Sequence, residues 1–417
     1  MTTAPTGSLL PLREKVAGGR PPDEGSRSPL HEVRIEAARA FDPSSVGFAD
    51  TFSRKGRRDA FSRRTLLGGA LALTACKGRA QDGRSPDRGP APPLKSLAAF
   101  PVGCAMMTGE LQDPAFARLL ATHFSQLTPE WEMKMEYILK DDGGFRFDAP
   151  DAIAAFARAN GMRLMGHNLI WYAQQPPAFM RLDGQGKAFA DAYRNYILAV
   201  AGRYRGQAAG WDVVNEPVEA EGDGLRSCIW SRNLGTDYIR RAFEHAAEAD
   251  PGAVLLVNDY DLENKPRKRA TFMKLVEDLL KAGAPVKGIG TQTHVNADLA
   301  PGALAAAVRD LASLGLPIHL SELDVSLSRA ERLFTDTADL NTRQLRVYAE
   351  AAEAFMALPA RQRFAFTLWG LRDKDSWLRT ESVKRGVSPD APLLFDDAGA
   401  AKPTFWAVAD AFAGRRA

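Results

Sequence analysis

The sequence predicts an α/β fold, a closed (β/α)8 barrel forming a single domain over residues 98–417, and three observations predict it. Eight short apolar runs recur along that stretch with helix-patterned segments between them, which is the grammar of a parallel sheet closed on itself. The runs are continuously apolar, as expected when both faces of a strand are buried. Finally, an open doubly wound sheet would carry a Gly-rich turn after its first strand, and Val102-Gly103-Cys104-Ala105 is not one.

The elements follow in order. Apolar runs rich in branched and aromatic residues place strands at 100–105, 124–128, 163–169, 211–215, 254–258, 288–293, 318–323 and 364–369. Helix spacing places helices at 151–160, closed by Gly161, at 237–249, and at 267–281 with Gly283 beyond it. Further helices are expected at 304–314, 342–358 and 404–413. The charge run 265–269 is expected to be a solvated helix start.

The chain of 417 residues is 45% hydrophobic and 25% charged, and its 54 basic residues nearly cancel its 51 acidic ones. Much of the basic excess lies early, at Arg54, Lys55, Arg57, Arg58, Arg63 and Arg64, so the folded part is near neutral and nothing points to nucleic acid. Residues 1–60 hold scattered Pro, Gly, Ser and charge without an apolar period, and read as disordered or as an upstream extension that is not translated. Residues 61–80 read as an export signal: Ser62-Arg63-Arg64 precedes Leu66 and Leu67, in the manner of a twin-arginine leader, and the apolar run is too short for a permanent span. Leu73-Thr74-Ala75-Cys76 resembles a bacterial lipoprotein cleavage box with Cys76 as the lipidated residue, which predicts a periplasmic or cell-surface protein anchored through a flexible linker at 81–97. The three cysteines make neither a disulfide framework nor a metal site; Cys104 and Cys228 read as small buried hydrophobes, with a disulfide between them as the alternative.

In a barrel of this kind the chemistry sits where strands end and βα loops begin. The fourth strand ends in Trp211-Asp212-Val213-Val214-Asn215-Glu216 and the seventh carries Glu322, so two carboxylates arrive from two separate strands. That pair is the equipment for cutting a glycosidic bond, and a spacing of roughly 5–5.5 Å suits a covalent glycosyl-enzyme. Companions collect at the same rim: Glu130, Trp131 and Lys134; His167, Trp171, Tyr172 and Gln174; Asn258, Asp259 and Tyr260; Gln292 and His294; Asp324; Trp369 and Trp377. Tryptophans stack on sugar faces, while amides and carboxylates bind hydroxyls. His294 alone could equally be a satisfied core histidine, and Trp171 and Trp369 could be core.

The ordered motifs G-H-N-L-I-W-Y-A-Q-Q-P, W-D-V-V-N-E, V-N-D-Y-D-L-E, G-I-G-T-Q-T-H, H-L-S-E-L-D-V, T-L-W-G-L-R-D-K-D-S-W and P-L-L-F-D resemble glycoside hydrolase family 10, whose usual activity is endo-1,4-β-xylanase. The resemblance implies a TIM barrel, a retaining double displacement, no cofactor and no metal in catalysis, and a monomer acting on xylan or xylo-oligosaccharides. Carried over by position, Glu216 resembles the acid/base and Glu322 the nucleophile, with Asn215 on the sugar 2-hydroxyl and His294 and Asp324 tuning Glu322. Glu130, Lys134, His167, Trp171, Gln174, Gln292, Trp369 and Trp377 would line the glycone side, and Tyr260 would lie near the cleavage point. Two positions depart: the family usually has Asn where this chain has Trp131, and His where it has Tyr172. Trp131 then either stacks on the glycone or turns inward under the rim. Two rival functions stand beside the xylanase: a related hydrolase acting on another β-glycan or an aryl β-glycoside, and a non-catalytic glycan-binding lipoprotein, which would have no need for both Glu216 and Glu322.

Overall fold

A computed structural model describes residues 88–330 and 337–415. Its strands are β1 (Val102–Met106), β2 (Gln126–Pro129), β3 (Arg163–Trp171), β4 (Ala208–Asn215), β5 (Val254–Asp259), β6 (Gly288–Thr291), β7 (His294–Asn296), β8 (Ile318–Ser326) and β9 (Arg363–Leu368). Every pairing is parallel, and the ring closes because β8 pairs with both β6 and β7. β6 and β7 are thus one barrel position broken in the middle, giving the predicted eight-stranded barrel. Each predicted strand is found within a few residues, except that 288–293 is split.

A helix follows each barrel position: Pro114–His123, Asp148–Ala159, Lys187–Arg203, Tyr238–Ala249, Pro266–Lys281, Ala303–Ala312, Thr337–Ala357 and Pro403–Phe412. The sequence reading placed six of these and passed over the helices at 114–123 and 187–203. The second has a readable stripe, with Phe189, Tyr193, Tyr196, Ile197 and Val200 all buried on one face. The main core lies between strands and helices, and a smaller cluster of Met165, Leu256, Phe364 and Ala365 plugs the barrel.

Two expectations need correction. The last residues of the predicted linker belong to the domain: Leu94–Leu97 form a helical turn with Leu94 buried, and Arg88 pairs with Asp410 at 2.5 Å. The run 265–269 is a solvated start only in its first half: Arg267 is exposed, but Lys268 is fully buried against Asp259 at 2.7 Å and Arg269 is buried against the Leu262 carbonyl at 2.6 Å. A tertiary carboxylate and a carbonyl, invisible in the local sequence, supply the partners that buried cations require. The expectation for the cysteines holds: Cys104 and Cys228 are free buried thiols and not a disulfide. The leader and Cys76 lie outside the described residues.

Candidate active site

Strand register brings the polar residues to one level. Trp171 on β3 pairs with Asn215 on β4, Asn215 with Asn258 on β5, and Asn258 with Gly290 on β6. His294 on β7 pairs with Asp324 on β8. Because the strands are parallel, these ends share one mouth of the barrel. Gly290 is required there: a Cβ would fall 2.3 Å from Asn258 Oδ1, so any larger residue would displace the Asn258 side chain.

The two carboxylates are buried, with Glu216 5% and Glu322 4% exposed. Glu216 sits just past β4 in the left-handed region, with φ 55. Such a backbone costs a non-glycine residue of order 1–3 kcal/mol unless its surroundings hold it. Here its N–H donates to the Asn258 carbonyl at 2.7 Å and its carbonyl accepts from Arg226 Nε at 2.9 Å. Its Oε1 accepts from Gln292 Nε2 at 3.0 Å and Asn215 Nδ2 at 3.4 Å. Glu322 Oε1 accepts from Asn258 Nδ2 at 2.8 Å and lies 4.0 Å from His167 Nδ1, while Oε2 is 3.3 Å from His294 Nε2. The pair is joined through amides, because Asn258 Nδ2 also donates to Asn215 Oδ1 at 2.9 Å.

Electrostatics hold Glu322 in its charged form. Burial alone would raise the Glu322 carboxyl, but His167, His294 and Lys134 outweigh it and hold it at about 2. Burial would lower the His294 imidazole; instead Asp324 Oδ2, 2.9 Å from its Nδ1, and Glu322 raise it to about 10. His294 is therefore an imidazolium gripped by two carboxylates, not a core histidine. Trp377 Nε1 donates to Asp324 at 2.9 Å and fixes the far end of that chain. His167 Nδ1 lies 2.9 Å from buried Asp212.

The aromatic companions form a wall around one ammonium. Lys134 Nζ lies 4.9 Å from the Trp171 ring centroid, 5.7 Å from Trp131 and 5.9 Å from Trp369. Burial lowers this ammonium against the raising influence of Glu322, Glu130 and Glu216. Glu130 is pushed up to about 7 by burial, with Lys134 opposing and Glu132, Glu322 and Asp324 adding to the rise. Trp131 is only partly buried and turns its ring to the Lys134 side of the rim. Gln174 Oε1 accepts from the Glu136 N–H at 3.2 Å and so braces the segment after β2.

Across the mouth, Arg226 joins the rim residues Tyr172 and Tyr260. Its guanidinium lies 4.0 Å from the Tyr172 ring centroid, and its Nη2 donates to the Tyr260 hydroxyl at 2.6 Å. Burial pushes Tyr172 up to about 12 and raises Tyr260 as well. Sequence reasoning gave roles to neither Arg226 nor Asn258. Asn258 stood at a strand end in V-N-D-Y and was legible as a rim residue; its bridging role depends on partners 43 and 64 residues away.

The model of "Glycosyl hydrolase family 10" matches residues 94–411. The chain is 35% identical over 324 residues to endo-1,4-beta-xylanase A of Thermoanaerobacterium saccharolyticum, covering 75% of this chain and 27% of that one. It is equally 35% identical over 324 residues to exoglucanase XynX of Acetivibrio thermocellus, covering 75% and 28%. It thus spans little more than a quarter of the length of either relative. Among solved structures, an intracellular xylanase of Thermoanaerobacterium saccharolyticum, a mutant in complex with xylotetraose, superposes with a TM-score of 0.67 at 34% identity, covering 76% of this chain and 98% of that chain. The matched residues run from the turn at Leu94 through the last helix and take in both strand-end carboxylates: the chain belongs to glycosyl hydrolase family 10.

Proposed function

We propose that the chain is a retaining endo-1,4-β-xylanase that hydrolyses internal β-1,4-xylosidic bonds through a covalent glycosyl-enzyme. The observation that carries the reading is the opposite dressing of the two carboxylates. Glu322 faces His167, His294 and Lys134 and stays charged, whereas Glu216 is met by the amides of Asn215 and Gln292. In the first step Glu322 attacks the anomeric carbon, the bond to the leaving sugar breaks, and Glu216 gives its proton to the departing oxygen. In the second step Glu216 takes a proton from water as the water's oxygen displaces Glu322, and the starting anomer is restored. Asn215 is the group for the 2-hydroxyl, and Trp171, Trp369, Trp377, Lys134 and Glu130 line the glycone side. Two relatives support xylan as substrate, one by name and one by its bound xylotetraose. The exoglucanase relative supports a second reading, a β-1,4-glucan or aryl β-glycoside as substrate. Rates on xylan, cellulose and mannan, with the anomer of the first product followed by NMR, decide both points. Release of the α-anomer would sink the retaining mechanism, and faster cellulose turnover would sink the xylan assignment.

The address belongs to the same proposal. The paired arginines Arg63 and Arg64 and the Leu73-Thr74-Ala75-Cys76 box support export with a lipid on Cys76. Mass spectrometry of membrane-fraction protein should find a mature chain beginning at a lipidated Cys76; a soluble mature chain beginning beyond it would contradict the anchor.

A further inference from the structure

The strand that supplies Gln292 and His294 breaks between them. β6 ends at Thr291, β7 begins at His294, and Thr293 in the gap has φ 59. A β-branched residue strongly disfavours that left-handed conformation, so contacts from outside the strand must hold it. They come from Glu263, in the loop between β5 and the helix Pro266–Lys281. Its Oε1 accepts from Thr291 Oγ1 at 2.6 Å and from Thr293 Oγ1 at 2.8 Å, and Thr293 Oγ1 also lies 3.1 Å from the Thr291 carbonyl. All three residues are buried. One carboxylate oxygen therefore holds the threonine on each side of Gln292.

The consequence reaches both reacting groups. Gln292 Nε2 is 3.0 Å from Glu216 Oε1, and His294, the first residue after the break, is 3.3 Å from Glu322 Oε2. We propose that Glu263 is a positioning residue for both catalytic carboxylates: by fixing the break between β6 and β7 it aims Gln292 at Glu216 and His294 at Glu322. The inference rests on reading that pair as acid/base and nucleophile. Burial raises the Glu263 carboxyl against the two threonine bonds, so a neutral acceptor suits the place as well. A glutamine carbonyl has the two lone pairs needed, and a leucine has none.

The test compares Glu263→Gln, Glu263→Leu and the double variant Thr291→Val/Thr293→Val on aryl β-xylobioside and aryl β-cellobioside, using whichever the wild type turns over faster. Glu263→Leu should lower kcat by on the order of 10–100-fold, the scale of a misplaced catalytic group. It should also move the acid limb of kcat/KM toward neutral pH, because Glu322 loses the grip of His294. Glu263→Gln should recover most of kcat, and the double valine variant should reproduce the leucine phenotype through the lost hydroxyls. That double variant decides the matter if Glu263→Leu fails to fold. A fall in thermal stability with kcat and the acid limb unmoved would overturn the inference alone. A wild type inactive on both substrates would overturn it together with the reading it rests on.

Discussion

Asn258→Ala should move the acid limb of the pH profile of kcat/KM. Asn258 Nδ2 donates to Glu322 Oε1 at 2.8 Å and to Asn215 Oδ1 at 2.9 Å, and its Oδ1 accepts from Ser321 Oγ at 2.8 Å. A hydrogen bond to a charged group contributes about 1.5–3 kcal/mol. The donor stabilises only the ionised form, so its loss raises the Glu322 carboxyl by about one to two pH units at 1.36 kcal/mol per unit. The starting point is about 2, so the limb should climb toward the ordinary carboxylate range. Stability should fall too, because Ser321 Oγ loses its acceptor in a buried site, at about 1–3 kcal/mol. Gly290→Ala offers an independent route to the same phenotype, since its Cβ would press to 2.3 Å from Asn258 Oδ1. The assay is kcat/KM for an aryl xylobioside across acid pH, with thermal unfolding measured in parallel. Lower stability with an unmoved limb in both variants would refute the bridging role of Asn258.

Further predictions concern the rim and the imidazolium. Trp131→Asn should change kcat/KM on aryl xylotriosides several-fold without moving the acid limb, since the ring lies 5.7 Å from Lys134 on the cleft side; lost stability with unchanged kinetics would favour a packing role. Tyr172→His removes the phenol ring that Arg226 covers at 4.0 Å, and should loosen substrate binding at that part of the rim, read as a higher KM with kcat less changed; an unchanged KM would contradict that. His294 is raised to about 10, so its contribution to stability is complete below the unfolded value of about 6.5 and is lost as pH rises through the folded one. His294→Gln should therefore flatten the decline of unfolding free energy across that window in urea titrations, and an undiminished slope would contradict the pairing with Asp324 and Glu322.

The barrel was legible because strands buried on both faces leave continuous apolar runs. The carboxylate pair was legible because each Glu ends or interrupts such a run, with amide, His and Trp companions. What remained hidden depends on partners distant in sequence. Lys268 reads as a solvated charge until Asp259 is seen 2.7 Å away. The split of the sixth strand cannot be found in G-I-G-T-Q-T-H, because the carboxylate that holds it, Glu263, lies 28 and 30 residues from its two threonines. Asn258 was seen at the rim, but its choice of Glu322 and Asn215 follows from register and from the space that Gly290 leaves.

Removing each carboxylate in turn and supplying azide tests the division of labour directly. Glu322→Gly should abolish turnover of xylan, and azide should restore reaction of an activated aryl xylobioside with an α-glycosyl azide as product, since the anion then fills the space of the nucleophile. Glu216→Ala should keep the covalent step only for good leaving groups and give the β-glycosyl azide. Opposite anomers from the two variants are the predicted result. Near wild-type xylan hydrolysis by Glu322→Gly, or the same anomer from both variants, would contradict the assignment of Glu322 as nucleophile and Glu216 as acid/base.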